Sequence, residues 1–182
     1  MTERMLFAGM DVGTSGCKML VYDLDGSVVY QSSRRYQEEG TGGYRELNPD
    51  IVIRNVKEVL KDVGRNCPEG ITAMAVTSLG ESVVCLDADG KVLINSMLTG
   101  DCRGIPETEE IINTLGADRI FETTGLPPNE LYGLPKYMWL NRNTDVIKKS
   151  AAILYYEDFV GYVLTGERKV SYSSAARSMA FD

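Results

Sequence analysis

Apolar positions in the first 36 residues fall into three short blocks separated by turn residues. Met5 to Val12 reads as a buried strand, and Lys18 to Leu24 as a second, alternating around Met19, Val21 and Leu24. Asp25-Gly26 is a hairpin signal, and Ser27 to Tyr36 continues as a third strand, which predicts a three-stranded antiparallel meander. A polar loop, QEEGTGGYRELN, then leads into a helix start with Asn48 as N-cap, Pro49 at the first helical position and Asp50 at the positive end of the dipole. Ile51, Val52, Val56, Val59, Leu60 and Val63 recur at helical spacing, and Gly64 or Cys67-Pro68 ends the helix. The apolar run from Ile71 to Ser78 predicts a strand buried on both faces and parallel to the first. SVVCLDADGKVLI predicts a hairpin about Asp87 to Gly90.

The remainder is mainly helical, with helices predicted at Pro106 to Leu115, Ala117 to Thr124, Pro135 to Asn141 and Tyr155 to Leu164. A strand at Ala151 to Leu154 and a short strand pair around Lys169 to Ser173 complete the pattern. The class is therefore α/β: a mixed sheet of three antiparallel strands followed by parallel ones, with helices on both faces. No internal repeat, low-complexity tract or interdomain linker interrupts it, so one compact domain is the default.

Composition narrows the function more than the fold. Hydrophobic residues make up 43% and charged residues 25% of 182, enough to bury a core. A net charge of -7 without any basic cluster argues against nucleic acid or an anionic membrane as partner, so a phosphate site has to be local. The apolar stretch from Met5 to Met10 is too short for a signal peptide, and no run approaches the ~18 apolar residues of a membrane span. Cys17, Cys67, Cys85 and Cys102 form no metal or disulfide pattern; reduced cytoplasmic thiols are the expectation. With no histidine in the chain, chemistry falls to carboxylates, hydroxyls, Lys, Arg, backbone N–H groups and a hard metal ion.

One stretch carries such chemistry. In GMDVGTSGCKMLVYDLDG, an aspartate ends an apolar strand and a Gly-Thr-Ser-Gly turn feeds a returning strand. Gly13 and Gly16 permit the positive φ values with which several backbone N–H groups converge on an anion; Thr14 and Ser15 add hydroxyls and Lys18 adds charge. Asp11 faces a polyphosphate comfortably when magnesium lies between them. The pattern is neither a P-loop nor a dinucleotide-binding fingerprint, because the turn leads into a strand. The plain alternative is a tight hairpin whose aspartate caps backbone groups.

DVGTSGCKMLVYDLDG resembles the first phosphate motif of the actin-like ATPase superfamily, and the meander-helix-strand order matches its ribonuclease-H-like core. GGYRELNP, LDADGKVL, TGDCRG, TGLPPNELYGLPKYMWL and YEDFVGYVLTGE...YSSAARSMAFD follow in the order seen in the amino-terminal domain of the FGGY carbohydrate kinases, the xylulokinase and glycerol kinase group. The resemblance covers nearly the whole chain.

It implies ATP-dependent transfer of a γ-phosphoryl group to a sugar or polyol hydroxyl in a cleft between two domains. Asp11 is then the magnesium residue, holding Mg2+ through water, and Gly13, Thr14, Ser15 and Lys18 face the ATP phosphates. Glu81, Asp101, Arg103 and Tyr132 are the implied substrate residues, with Trp139 a further apolar wall or a core residue. Plainer roles compete: Glu81 as a solvated turn residue, and Asp101 as a partner of Arg103 alone. Cys102, between two of these, is a candidate for thiol sensitivity. Gly80 stands where glycerol kinases carry an arginine, and SLGES lacks the Met-His pair of xylulokinases, so the sugar is unassigned.

Residues 1–182 correspond to an incomplete amino-terminal domain; the family's general-base aspartate and adenosine motifs fall past residue 182, and the fragment alone is expected to be inactive. The implied partners are a small sugar or polyol and the missing carboxy-terminal kinase domain, in a cytoplasmic protein, with a homodimer left open. A non-kinase actin-like ATPase that couples nucleotide state to conformation is the competing reading, and a ribonuclease-H-type nuclease a distant third.

Overall fold

The computed structural model describes residues 5–181. In chain order the elements begin with strands β1 (Phe7–Val12), β2 (Gly16–Tyr22), β3 (Val28–Arg35) and β4 (Glu46–Leu47). Helix α1 (Pro49–Asn66) and strands β5 (Ala73–Ser78), β6 (Val83–Leu86) and β7 (Ser96–Met97) follow. A short 3-10 turn at Cys102–Gly104 opens into α2 (Ile105–Leu115) and α3 (Ala117–Thr124). The rest is α4 (Gly133–Asn143), α5 (Val146–Lys149), β8 (Ala152–Tyr155), α6 (Tyr156–Thr165) and α7 (Tyr172–Ala176). The described residues divide into two compact units: those up to Gln37 together with Asp50–Leu79, and Glu38–Pro49 together with those from Gly80 on.

The first unit is a four-stranded mixed sheet of order β3-β2-β1-β5. β2 pairs antiparallel with both β1 and β3, whereas β5 runs parallel to β1. Strand alternation gives the sheet two unlike faces. Ala8, Met10 and Val12 of β1 and Cys17, Met19 and Val21 of β2 are buried, as are Val52, Val56, Val59 and Val63 of α1. That face carries the helix, because β3 residues of the same phase reach it. Ser32 Oγ donates to Asp62 Oδ2 at 2.9 Å, Arg34 Nη2 to the same oxygen at 2.5 Å, and Asn66 Nδ2 to Tyr30 Oη at 3.0 Å.

Asp11, Lys18, Ser33 and Arg35 take the opposite phase. Asp11 is registered against Lys18 and Thr77, Lys18 against Ser33, and Gly16 against Arg35.

β5 departs from expectation. Its residues alternate between exposed and half-buried rather than lying buried on both faces, because β5 is the edge of the sheet among the described residues and carries small side chains, Ala73 and Ala75, on its open face. The first hairpin is organised by Asp23, whose Oδ1 accepts from the N–H groups of Asp25 and Ser27, so its turn starts two residues before the Asp25-Gly26 pair.

In the second unit β6 pairs antiparallel with β8, and β4 with β7. The hairpin at Asp87 to Gly90 is present, with Asp87 Oδ1 accepting from the Asp89 and Lys91 N–H groups, but its return arm makes only an isolated bridge, Leu86 to Val92. The long-range partner β8 satisfies β6 instead. Val83, Cys85, Met97, Leu140 and Tyr155 form one buried cluster; Ile111, Ile120, Tyr132 and Met179 form another.

The strand pair expected around Lys169 to Ser173 is replaced by helix α7. Ser171 caps it by accepting the Ser174 N–H, and its own N–H is taken by the Asp158 carboxylate at 3.1 Å. A local β pattern thus yields to capping. Among the described residues no helix is long and apolar enough to cross a membrane.

Candidate functional site

Two groups of chemistry-bearing residues emerge, one in each unit. In the first, the turn Gly13-Thr14-Ser15-Gly16 is closed by Gly13 N–H donating to Gly16 O at 2.9 Å. Tyr36 braces it from β3, its hydroxyl donating to Gly13 O at 2.8 Å and its N–H to Ser15 O at 3.2 Å. The glycines act differently from expectation, since neither Gly13 nor Gly16 has positive φ. Gly16 is required by close approach: a Cβ there would lie 2.5 Å from the Arg34 carbonyl oxygen of the neighbouring strand. Thr14 and Ser15 are left exposed at the tip, and among the described residues their N–H and hydroxyl groups have no partner.

Beside the turn opens a groove of about 600 Å³ whose walls include Asp11, Gly13, Ser15, Lys18, Arg34 and Arg35. Thr14 is not in the lining. Asp11, Lys18 and Arg35 are all exposed and unpaired among the described residues, whereas Arg34 is tied to Asp62. The groove thus holds a free carboxylate, two free cations and uncommitted donors, a set suited to a polyanion with an accompanying metal ion. Arg34 and Arg35 were not singled out from sequence; the readable sign is that Arg35 shares Lys18's phase across adjacent strands.

The second group centres on Glu81. It has φ of 59°, and the Ser82 N–H donates back to Gly80 O at 2.8 Å, so Glu81 is the apex of a three-residue turn. A non-glycine residue there carries strain of order 1–3 kcal/mol, which neighbouring contacts must hold. They do. The Lys136 ammonium of α4 donates to Glu81 O at 3.0 Å, and the Arg177 guanidinium binds Glu81 Oε1 through Nε and Nη2. Glu81 is buried, so it is no solvated turn residue. Tyr132, also buried, lies under Arg177 with 5.7 Å from ring centre to guanidinium carbon. Lys136 is 2% exposed. Burial lowers its pKa to about 8, against the opposing pull of the Glu81 and Asp101 carboxylates.

Asp101 and Arg103 form a tight buried pair nearby in the chain. Arg103 Nε and Nη2 donate to the two carboxylate oxygens at 2.8 and 2.6 Å, and the N–H groups of Arg103 and Arg45 add bonds at 3.0 and 2.8 Å. Burial raises the Asp101 pKa, but these hydrogen bonds outweigh it and leave the carboxyl below the usual range. Arg103 Nη1 also meets Glu46 Oε1 at 2.7 Å, and its guanidinium lies between Tyr44 and Trp139, 4.5 and 5.1 Å from the ring centres. Trp139 packs against the Val83 cluster, a core role. Cys102 is half-buried.

The mixed sheet of order β3-β2-β1-β5 and the solved structures it superposes on place the chain in the actin-like ATPase fold. A sequence model of the FGGY family of carbohydrate kinases, N-terminal domain, matches residues 6–182. The chain is 29% identical over 178 residues to the xylulose kinase of Bacillus subtilis, covering 94% of this chain and 35% of that protein. It is 30% identical over 186 residues to the glycerol kinase of Thermococcus gammatolerans, covering 95% and 37%. The crystal structure of a xylulose kinase from Rhodospirillum rubrum superposes with a TM-score of 0.92 at 25% identity, over 97% of this chain and 37% of that one. The chain belongs to the FGGY family of carbohydrate kinases and spans little more than a third of the length of these relatives.

Proposed function

We propose that the protein, at the length of its relatives, transfers the γ-phosphoryl group of ATP to a hydroxyl of a sugar or polyol, with residues 1–182 forming its amino-terminal kinase domain. The observation that carries this reading is the groove beside the Gly13-Gly16 turn, whose lining includes Asp11, Lys18 and Arg35, each unpaired among the described residues. Phosphoryl transfer asks the protein mainly for charge neutralisation and alignment. Ser15 and Thr14 supply N–H and hydroxyl donors to phosphate oxygens, and Lys18 offsets their charge. Asp11, without a partner among the described residues, fits a hard cation held through water. Asp11 would hold magnesium there, and the ion would supply charge neutralisation to the phosphate oxygens. Glu81 and Tyr132 are proposed to meet the hydroxyl-bearing substrate, named from the relatives as a xylulose-like sugar or glycerol-like polyol. Strain at Glu81, held from both ends, supports a functional placement.

The test is Asp11→Asn in the complete protein, assayed by ADP release across pentoses, hexoses and polyols. Turnover is expected to fall at least about 100-fold, an effect equal to ~2.7 kcal/mol of transition-state stabilisation, with an unchanged unfolding midpoint because the side chain is exposed and bonds to none of the described residues. Near-normal turnover would remove Asp11 from the site. ATP hydrolysis that no sugar or polyol stimulates would instead favour an ATPase without a carbohydrate acceptor.

A further inference from the structure

We propose that Arg177 is a specificity-determining residue of the hydroxyl-binding site, selecting substrates that present two neighbouring hydroxyls to the Arg177–Glu81 pair. The inference rests on the kinase reading above. Arg177 bonds only Oε1 of Glu81, through Nε and Nη2. Oε2 of Glu81 and Nη1 of Arg177 have no partner among the described residues. One ion pair therefore keeps both an acceptor, Oε2, and a donor, Nη1, available to a ligand. One hydroxyl donates its proton to Oε2 while its neighbour's oxygen accepts from Nη1, a match that a single hydroxyl does not satisfy.

Four features shape this pair. Gly80 leaves the approach clear: a Cβ there would meet Arg177 Nε at 3.9 Å and nothing closer, so any longer side chain at 80 competes with the guanidinium for space. The Arg177 side chain is 50% exposed, whereas that of Glu81 is 9% exposed, so the guanidinium is the more accessible member of the pair. The segment that carries Arg177 is anchored: Ser178 O accepts the Leu134 N–H at the start of α4 at 2.7 Å, and buried Met179 adopts φ of 58°. Tyr132 beneath the guanidinium fixes its plane.

The experiment compares the complete protein with Arg177→Met and Arg177→Lys on its best sugar or polyol and on the monodeoxy analogues of that substrate. Wild type should reject at least one deoxy analogue by about tenfold or more in kcat/KM, because a missing hydroxyl strands a polar group of the site. Arg177→Met should raise KM for the sugar by a similar factor, leave KM for ATP within about twofold, and erase discrimination at that hydroxyl. Arg177→Lys should restore part of it. Gly80→Val, which crowds the guanidinium without removing the charge, should shift the same KM. Unchanged deoxy discrimination in Arg177→Met, or equal rises in both KM values, overturns the proposal. A wild-type protein that phosphorylates nothing in the panel overturns the kinase reading instead.

Discussion

Lys136→Met isolates what it costs to keep an ammonium group in the interior of the second unit. Burial lowers the lysine from 10.5 to about 8, so the charged form is disfavoured by about 3–4 kcal/mol, at about 1.4 kcal/mol per pKa unit. Below pH 8 the lysine is protonated in both folded and unfolded chains, and the full cost applies. Between about 8 and 10.5 the folded protein loses the proton first; the unfolded state then binds more protons, and stability rises with pH. Methionine has similar length and no charge, and its introduction loses the bond to Glu81 O, about 1 kcal/mol.

The variant is therefore expected to be more stable than wild type by about 2–3 kcal/mol at pH 7, with the advantage shrinking to near zero by about pH 10. Urea unfolding followed by Trp139, the single tryptophan, reports on the same unit. Burial also raises the pKa values of Tyr137, Tyr156 and Cys85, which erodes stability at high pH, but both proteins share that loss and it cancels in the difference. A difference that stays constant from pH 7 to 10 would refute the reasoning. So would a methionine variant about 2 kcal/mol less stable at pH 7, since the ammonium would then be a net stabilising group.

Gly16→Ala drives a Cβ to 2.5 Å from the Arg34 carbonyl oxygen and must part β2 from β3 beside the groove. Its unfolding free energy should drop by about 1–3 kcal/mol, and an unchanged midpoint would show that the strands separate freely there. Among the thiols, Cys17, Cys67 and Cys85 are buried, and burial raises Cys17 and pushes Cys85 to about 11, so half-buried Cys102 should be the first to react with an aromatic disulfide reagent. Cys102→Ser should remove the fast phase; its persistence would place the reactive thiol elsewhere.

Local pattern revealed most of the fold where partners are close in sequence. The meander, α1 and the parallel return of β5 were legible because apolar period and turn residues coincide there. The partner of β6 was not, because β8 lies at Ala152–Tyr155 and a strand's own sequence does not name a distant mate. Nor was α7, whose cap depends on Asp158 from another helix. In the candidate site, Asp11 and the turn stood out from the local pattern, an aspartate ending an apolar strand before a Gly-Thr-Ser-Gly turn. Lys136 was missed, although Tyr132, Lys136 and Leu140 follow one another at four-residue intervals, and a lysine on an otherwise buried stripe is a readable sign of a buried charge. Arg177 has no such sign. Its meaning comes from Glu81, 96 positions away.

The saturation of Asp101 sorts the residues carried over by resemblance into two kinds. A carboxylate accepts about four hydrogen bonds. Asp101 already receives four, two from the Arg103 side chain and two from backbone N–H groups. It has no acceptor left to offer a substrate without breaking a buried, charge-assisted bond, whose loss costs more than a sugar hydroxyl returns. Arg103 is likewise committed through all three side-chain nitrogens, with its faces covered by Tyr44 and Trp139. The pair thus works as a rigid post that fixes the loops around it. Of the residues carried over and their partners, Glu81 Oε2 and Arg177 Nη1 keep uncommitted capacity among the described residues, and there a hydroxyl-bearing ligand gains a bond without costing the protein one.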